Sequence, residues 1–242
     1  MKVVAIIQAR MGSTRLPGKV LCDLCGEPML ARVVGRVRRA KLVNEVIVAT
    51  STLATDDPIA ALCTARGWRC FRGSESDVLD RYLGAAREAG ADAIVRITAD
   101  CPLLDPGVID DVITAFRVGQ PSLDYACNFH PRRTYPRGLD CEILRQDVLE
   151  RCQREATDAL SREHVTAFIY GHPKLFTLRG IETDADHSAH RWTVDAPEDF
   201  ALVETIYRHF AHDHFTWREA LAAVEQHPEW SDLNAHIEQK TT

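Results

Sequence analysis

No stretch of the chain approaches the roughly 18 consecutive apolar residues that a membrane-spanning helix requires, and no surplus of basic residues marks a nucleic-acid binder: the formal net charge is −6. The basic segment "RVVGRVRRAK" (Arg32 to Lys41) carries Val33, Val34 and Val37 at helical spacing, so its cations read as the solvated face of an amphipathic helix. Cysteine pairing is also missing. The eight cysteines are scattered, and Cys22 and Cys25 form a lone C-x-x-C with no second pair at zinc-finger spacing, which points to free thiols in a reducing compartment. The apolar run Val3 to Ile7 is too short for a secretory leader and is followed at once by Gln8 and Arg10, so a cytoplasmic protein is expected. Neither common phosphate-binding signature is present. Five residues rather than four separate Gly12 from Gly18, Val20 follows Lys19 where a Walker A loop needs Ser or Thr, and there is no G-x-G-x-x-G. Internal repeats and low-complexity tracts are lacking too.

What the 242 residues do contain is 45% hydrophobic side chains, enough for a sizeable core in a single domain spanning 1–242. "VVAII" at 3, "EVIVAT" at 45, "WRCFRG" at 68 and "DAIVRIT" at 92 predict strands, separated by amphipathic segments near 28–39, 56–66 and 77–89, with another at 106–118. Val and Ile without polar alternation imply strands covered on both faces, hence an α/β fold with a mostly parallel central sheet and helices on both sides. "TDDP" at 55, "LLDP" at 103 and "VDAP" at 194 each set a carboxylate just before a proline, the chemistry of a helix start. The segment 124–145 reads as an excursion after the central strands, ending in a strand-like "GLDCEIL". A helix over 161–172, a strand over 174–181, a strand "HRWTVD" over 190–195 and helices from about 197 to 238 complete the expectation. "HFAHDHF" (His209, His212, His214) reads as a polar helix end rather than a metal cluster.

The first strand runs into "IIQARMGSTRLPGKVL" (6–21), a loop with Gly12, Pro17 and Gly18 that carries Arg10, Arg15 and Lys19. In an open α/β sheet, ligands bind at the carboxyl ends of strands. Glycines permit close backbone approach, and three cations on one loop can converge on a polyphosphate. Asp100, ending "AIVRITAD", and Asp195, ending "RWTVD", should reach the same edge, where two carboxylates suit Mg²⁺. Each has a plainer alternative: Asp100 as a strand-end turn residue, Asp195 as the helix cap before Pro197.

The opening loop, with "RGSESDVLDRY" (72–82), "RITADCPLLDP" (96–106), "YPRGLDCEIL" (135–144), "SREHVT" (161–166) and "RWTVDAPEDF" (191–200), resembles the cytidylyltransferases that activate acidic sugars. This is the superfamily of CMP-sialate and CMP-Kdo synthetases, and the likeness is to its spore-coat polysaccharide-biosynthesis, acylneuraminate cytidylyltransferase-like branch. The resemblance implies a Rossmann-like nucleotide-diphospho-sugar transferase fold and a Mg²⁺-dependent transfer of CMP from CTP to an acidic sugar or related hydroxyl acceptor, with release of pyrophosphate. It further implies a homodimer paired through roughly 124–145.

By the same resemblance, Arg10, Arg15, Lys19 and Asp100 would be catalytic and Asp100 and Asp195 the metal ligands. Gln8, Ala9, Arg10, Gly12, Ser13, Arg15 and Lys19 would hold the nucleotide. Arg72, Ser74, Asp77 and Arg81 fall in the base-reading segment, although "SESDVLDRY" equally reads as a capped helix start. Arg96 is a nucleotide contact or the partner of a core carboxylate. Arg137, Glu142, Arg162 and His164 are candidates for the acceptor end. Two departures stand out: Arg137 occupies a place where the family often has an acidic residue, and the conventional sialate and Kdo enzymes differ from "GSESDVLDRY".

Overall fold

The computed structural model describes residues 1–238. Strand β1 (Val3–Gln8) is buried through its first five residues, as expected where both faces of a sheet are covered. The chain then passes a 3-10 turn at Lys19–Leu21 into α1 (Met29–Val37), β2 (Glu45–Ser51), α2 (Asp57–Ala65), β3 (Arg69–Gly73), α3 (Val78–Ala89), β4 (Ala93–Thr98) and α4 (Pro106–Val118). This alternation matches the periodicity of the sequence to within a few residues. The second half supplies β5 (Tyr125–Cys127), β6 (Glu142–Arg145), α5 (Gln146–Glu155), α6 (Ala159–His164), α7 (Ala167–Gly171), β7 (Leu178–Gly180), α8 (Pro197–Phe210) and α9 (Trp217–Gln226). A 3-10 turn at Pro228–Leu233 follows. Among the described residues no helix is long and apolar enough to cross a membrane.

The strands form one sheet in the order β3-β2-β1-β4-β6-β5-β7. β6 runs antiparallel to both of its neighbours, and the remaining pairs are parallel. Register places Gln8 opposite Thr98 of β4 and Ala49 of β2, so β1 and β4 end at one line, with β2 running two residues further, and the loops leaving β1 and β4 emerge side by side. Alternate residues of β1 feed two cores. Val3, Ala5 and Ile7 pack with α1, α4, α8 and α9, whereas Val4 and Ile6 pack with α3 and α5.

Four local expectations are corrected. The segment 124–145 begins and ends inside the sheet, as β5 and β6, so only 128–141 leaves it. The helix over 161–172 is two short helices, because Val165 between them adopts φ 57 with its side chain fully buried; burial holds a conformation that a β-branched residue otherwise avoids. "HRWTVD" is not a strand: it makes a single bridge, Arg137 to Arg191, and its remaining backbone bonds go to loop groups such as Asp100 O, which takes Val194 N–H at 2.8 Å. Arg36 is not on a solvated face. It is fully buried and donates to three carbonyls, Leu104 O at 2.8 Å, Asp213 O at 2.8 Å and Phe215 O at 2.9 Å, which ties α1 to two loops.

Candidate active site

The loop after β1 is held open by its own backbone and by one carboxylate. Gly18 adopts φ 71, a left-handed conformation that glycine takes without cost, and its N–H reaches Met11 O at 3.0 Å. Asp56, buried at the start of α2, accepts the Met11 N–H at 2.8 Å while its other oxygen takes the Ser51 hydroxyl at 2.5 Å. Asp56, the first of the two carboxylates in "TDDP", therefore braces the loop to the end of β2. Its pKa lies below the ordinary carboxylate value: burial opposes the charge, but the bonds from Met11 and Ser51 outweigh it.

Between this loop and the ends of β1 and β4 lies a cleft of about 250 Å³. Its wall contains Gln8, Ala9, Arg10, Gly12, Ser13, Arg15, Lys19, Arg81, Asp100 and Asp195, ten of the residues selected from the sequence, together with Thr14 and Thr98, which sequence reasoning did not single out. Lys19 is the centre. Its Nζ donates to Val194 O at 2.6 Å, Asp195 Oδ1 at 3.0 Å and Asp100 Oδ2 at 3.2 Å. Burial alone would lower the pKa of this ammonium, but the two carboxylates overcome it and the net shift is upward. Arg15 pairs with the other Asp195 oxygen at 2.9 Å, leaving Arg10 as the loop cation most open to solvent, 3.8 Å from Glu163. Asp100 also receives the Cys101 thiol at 3.5 Å.

Asp195 does not cap α8. Asp199 does: its Oδ2 accepts the Asp195 N–H at 2.9 Å and the Ala196 N–H at 3.0 Å, freeing the Asp195 carboxylate for cations. The third of these cations is Arg191, a residue the sequence reading missed although it opens the "RWTVDAPEDF" motif. Its Nη2 reaches Asp195 Oδ2 at 3.0 Å and its Nε reaches Asp199 Oδ1 at 2.9 Å. The signal was the spacing 191, 195, 199. Burial would raise the pKa of Asp195, but the charges of Lys19 and Arg15 and the bond from Arg191 depress it.

Two cleft residues carry buried polar atoms with no protein partner, Gln8 Oε1 and Arg81 Nε. Arg81 is otherwise fixed by one bond from Nη1 to Ser74 O at 2.6 Å. The rest of the predicted set stands outside the cleft wall. Arg72 is bound to Ser51 O and Leu53 O and paired with Asp57. Asp77 caps α3 through the Asp80 N–H at 2.9 Å and pairs with Arg162, and Ser74 Oγ accepts the Asp77 N–H at 3.1 Å, so these two follow the helix-start alternative. Arg96 and Glu142 form an ion pair, with Tyr125 donating to the other Glu142 oxygen at 2.6 Å: the core-carboxylate alternative. His164 is half-buried, which lowers its pKa. Arg137 lines a separate cavity of about 230 Å³ with His190 and Trp192.

The chain that sets this cationic glycine loop against Asp100 after β4 and Asp195 before α8 is matched by a family model described as cytidylyltransferase over residues 4–228. The chain belongs to the cytidylyltransferase family. It is accordingly a nucleotidyltransferase on a Rossmann-like fold. A solved cytidylyltransferase structure from Leptospira borgpetersenii serovar Hardjo-bovis superposes with a TM-score of 0.92 at 30% identity, covering all of both chains. The spore coat polysaccharide biosynthesis protein of Bacillus subtilis is 35% identical over 213 residues, 85% of this chain and 86% of that one. The 3-deoxy-manno-octulosonate cytidylyltransferase of Geobacter sulfurreducens is 43% identical over 115 residues, 47% of this cytidylyltransferase and 44% of that chain.

Proposed function

We propose that this cytidylyltransferase joins CMP from CTP to a hydroxyl of an acidic sugar or related acceptor and releases pyrophosphate, with Mg²⁺ as cofactor. The observation that carries the reading is the Lys19 ammonium bound to both Asp100 and Asp195 beneath the cationic loop. Nucleotidyl transfer depends on positioning and on neutralising phosphate charge, and this cluster supplies both. Arg15 and Lys19, held by carboxylates here, are the cations placed to exchange those partners for phosphate oxygens as pyrophosphate leaves; Arg10, the most exposed of the three and paired loosely with Glu163, would meet the triphosphate first.

The donor set fits Mg²⁺. Asp100 and Asp195 offer only carboxylate oxygens, and among the described residues no group of three or more His, Cys, Asp or Glu side chains gathers into a metal cage. An ion that takes one or two protein carboxylates and fills its other positions with phosphate and water matches that arrangement. When bound there it would supply charge neutralisation at the phosphates and acidify the acceptor hydroxyl. Gln8 Oε1, an unpaired acceptor, and Arg81 Nε, an unpaired donor, complement the amino and carbonyl groups of cytosine. The acidic-acceptor class rests on the likeness to the Geobacter enzyme and on the exposed cation Arg10 at the cleft. Pairing of two chains through the 128–141 loop belongs to the same proposal.

Thermal unfolding tests the nucleotide. CTP with Mg²⁺ should raise the melting temperature more than ATP, GTP or UTP, since a ligand selective for the folded state stabilises it by mass action. Equal shifts for all four would sink the cytidine assignment.

A further inference from the structure

Asn234 ends the C-terminal 3-10 turn, 4% exposed, and turns both N–H groups of its side-chain amide inward, to Asp199 Oδ1 at 2.8 Å and to Arg191 O at 2.9 Å. Its two partners are the groups that fix Asp195. Asp199 is fully buried and binds the Asp195 backbone N–H, and Arg191 binds the Asp195 carboxylate. Neither side-chain bond of Asn234 reaches a residue of the cleft wall.

We infer that Asn234 is a positioning residue for Asp195, an inference that rests on Asp195 serving nucleotidyl transfer as proposed above. The argument is one of satisfaction and orientation. Arg191 divides its Nε and Nη2 between Asp195 and Asp199, with Nε on one oxygen of Asp199 and Nη2 shared between the other and Asp195. The Asn234 amide binds the backbone of that arginine and the carboxylate it faces, so it fixes both ends of the fork. Removing the amide leaves Arg191 O and one lone pair of Asp199 without their buried donor, and the fork gains freedom to turn from Asp195 toward Asp199. Residues that orient a metal-ligating side chain in this indirect way change metal affinity or activity by about 10–100-fold when mutated. The C-terminal turn, which packs on α8, thereby becomes part of the active-site architecture.

The test uses two variants of the full chain: Asn234→Ala, and Asn234→Asp, which keeps the volume but has no N–H to donate. Mn²⁺ affinity in the presence of CTP is read by electron paramagnetic resonance, CTP affinity without metal by calorimetry, and turnover by pyrophosphate release. The expected result is Mn²⁺ binding weakened about tenfold or more, turnover lowered to match, and metal-free CTP affinity unchanged. If Asn234→Ala proves too unstable to purify, Asn234→Asp decides alone. Folded variants with wild-type Mn²⁺ affinity would overturn the inference, as would a fall in melting temperature and metal-free CTP affinity with Mn²⁺ binding unaltered, the pattern of a purely structural anchor. A wild-type protein that binds Mn²⁺ and CTP without turning over would contradict the proposed reaction, and the Mn²⁺ readout would still decide on Asn234.

Discussion

Lys19 Nζ lies 3.0 Å from Asp195 Oδ1, across 176 positions of sequence. The contact exists because β1 and β4 end in register, which brings the loop after β1 beside Asp100, and because the Val194 N–H bonds to Asp100 O and carries Asp195 to the same edge. With Asp100 and Val194 O as its other partners, the ammonium uses all three of its donors on the protein. Around it, Lys19, Arg15 and Arg191 meet Asp100, Asp195 and Asp199, three cations against three carboxylates.

Asp199 and Asp195 make stability depend on acid. Both pKa values are depressed although burial opposes ionisation, Asp199 by Arg191 and Asn234 and Asp195 mainly by Lys19. A depressed carboxylate contributes stability that is complete above its unfolded pKa, about 3.9, and is lost as pH falls through the lower folded value. Melting temperature followed from pH 7 to pH 3 should therefore fall steeply below about pH 4. Asp199→Asn should melt lower at neutral pH and show a shallower acid limb; parallel curves for variant and wild type would contradict this.

Arg36→Met should destabilise without touching catalysis. The substitution removes three hydrogen bonds and strands the carbonyls of Leu104 and Phe215, while Asp213 O keeps its bond from Arg39 at 2.6 Å. Leaving such buried groups unpaired costs on the order of 3 kcal/mol in all. Denaturant titration should show that loss, with turnover per folded molecule unchanged.

Asp56→Asn should act on nucleotide binding. The Met11 N–H that Asp56 accepts belongs to the loop carrying Arg10 and Arg15, and weakening a charge-assisted bond there lets the loop move. The expected outcome is a rise of about tenfold in KM for CTP, equivalent to about 1.4 kcal/mol, with kcat less affected. A change in kcat alone would mean that Asp56 does not act through the loop.

Much of this site was legible because its residues lie where secondary structure changes. Unalternated apolar runs gave the ends of β1 and β4, and those ends located the cationic loop and Asp100. Residues in regular helix starts were harder: Asp77 and Ser74 have the composition of both a ligand contact and a cap, and only backbone geometry shows Asp77 bonded to Asp80 N–H. Asp195 reversed the usual reading, since a carboxylate shortly before a proline suggests a cap, yet it leaves capping to Asp199, and Asp56 in "TDDP" braces a loop. Arg36 escaped because helical periodicity reports which face is apolar, not whether a cation on the border is covered by loops distant in sequence. β5 escaped for its length, since three residues hold too little pattern to register, whereas β7 lies inside the strand expected over 174–181.

The central claim is that Asp100 and Asp195 act together at one site, and a double-mutant cycle tests it most directly. Asp100→Asn, Asp195→Asn and the double variant are compared by pyrophosphate release from CTP with a panel of acidic sugars, alongside circular dichroism to confirm folding. Each single variant should stay folded and lose on the order of 10² or more in turnover, as expected when an electrostatic catalytic group is removed. The double variant should be little worse than the worse single, because both side chains act through one centre. Losses that multiply, or single variants with wild-type turnover, would contradict the shared site.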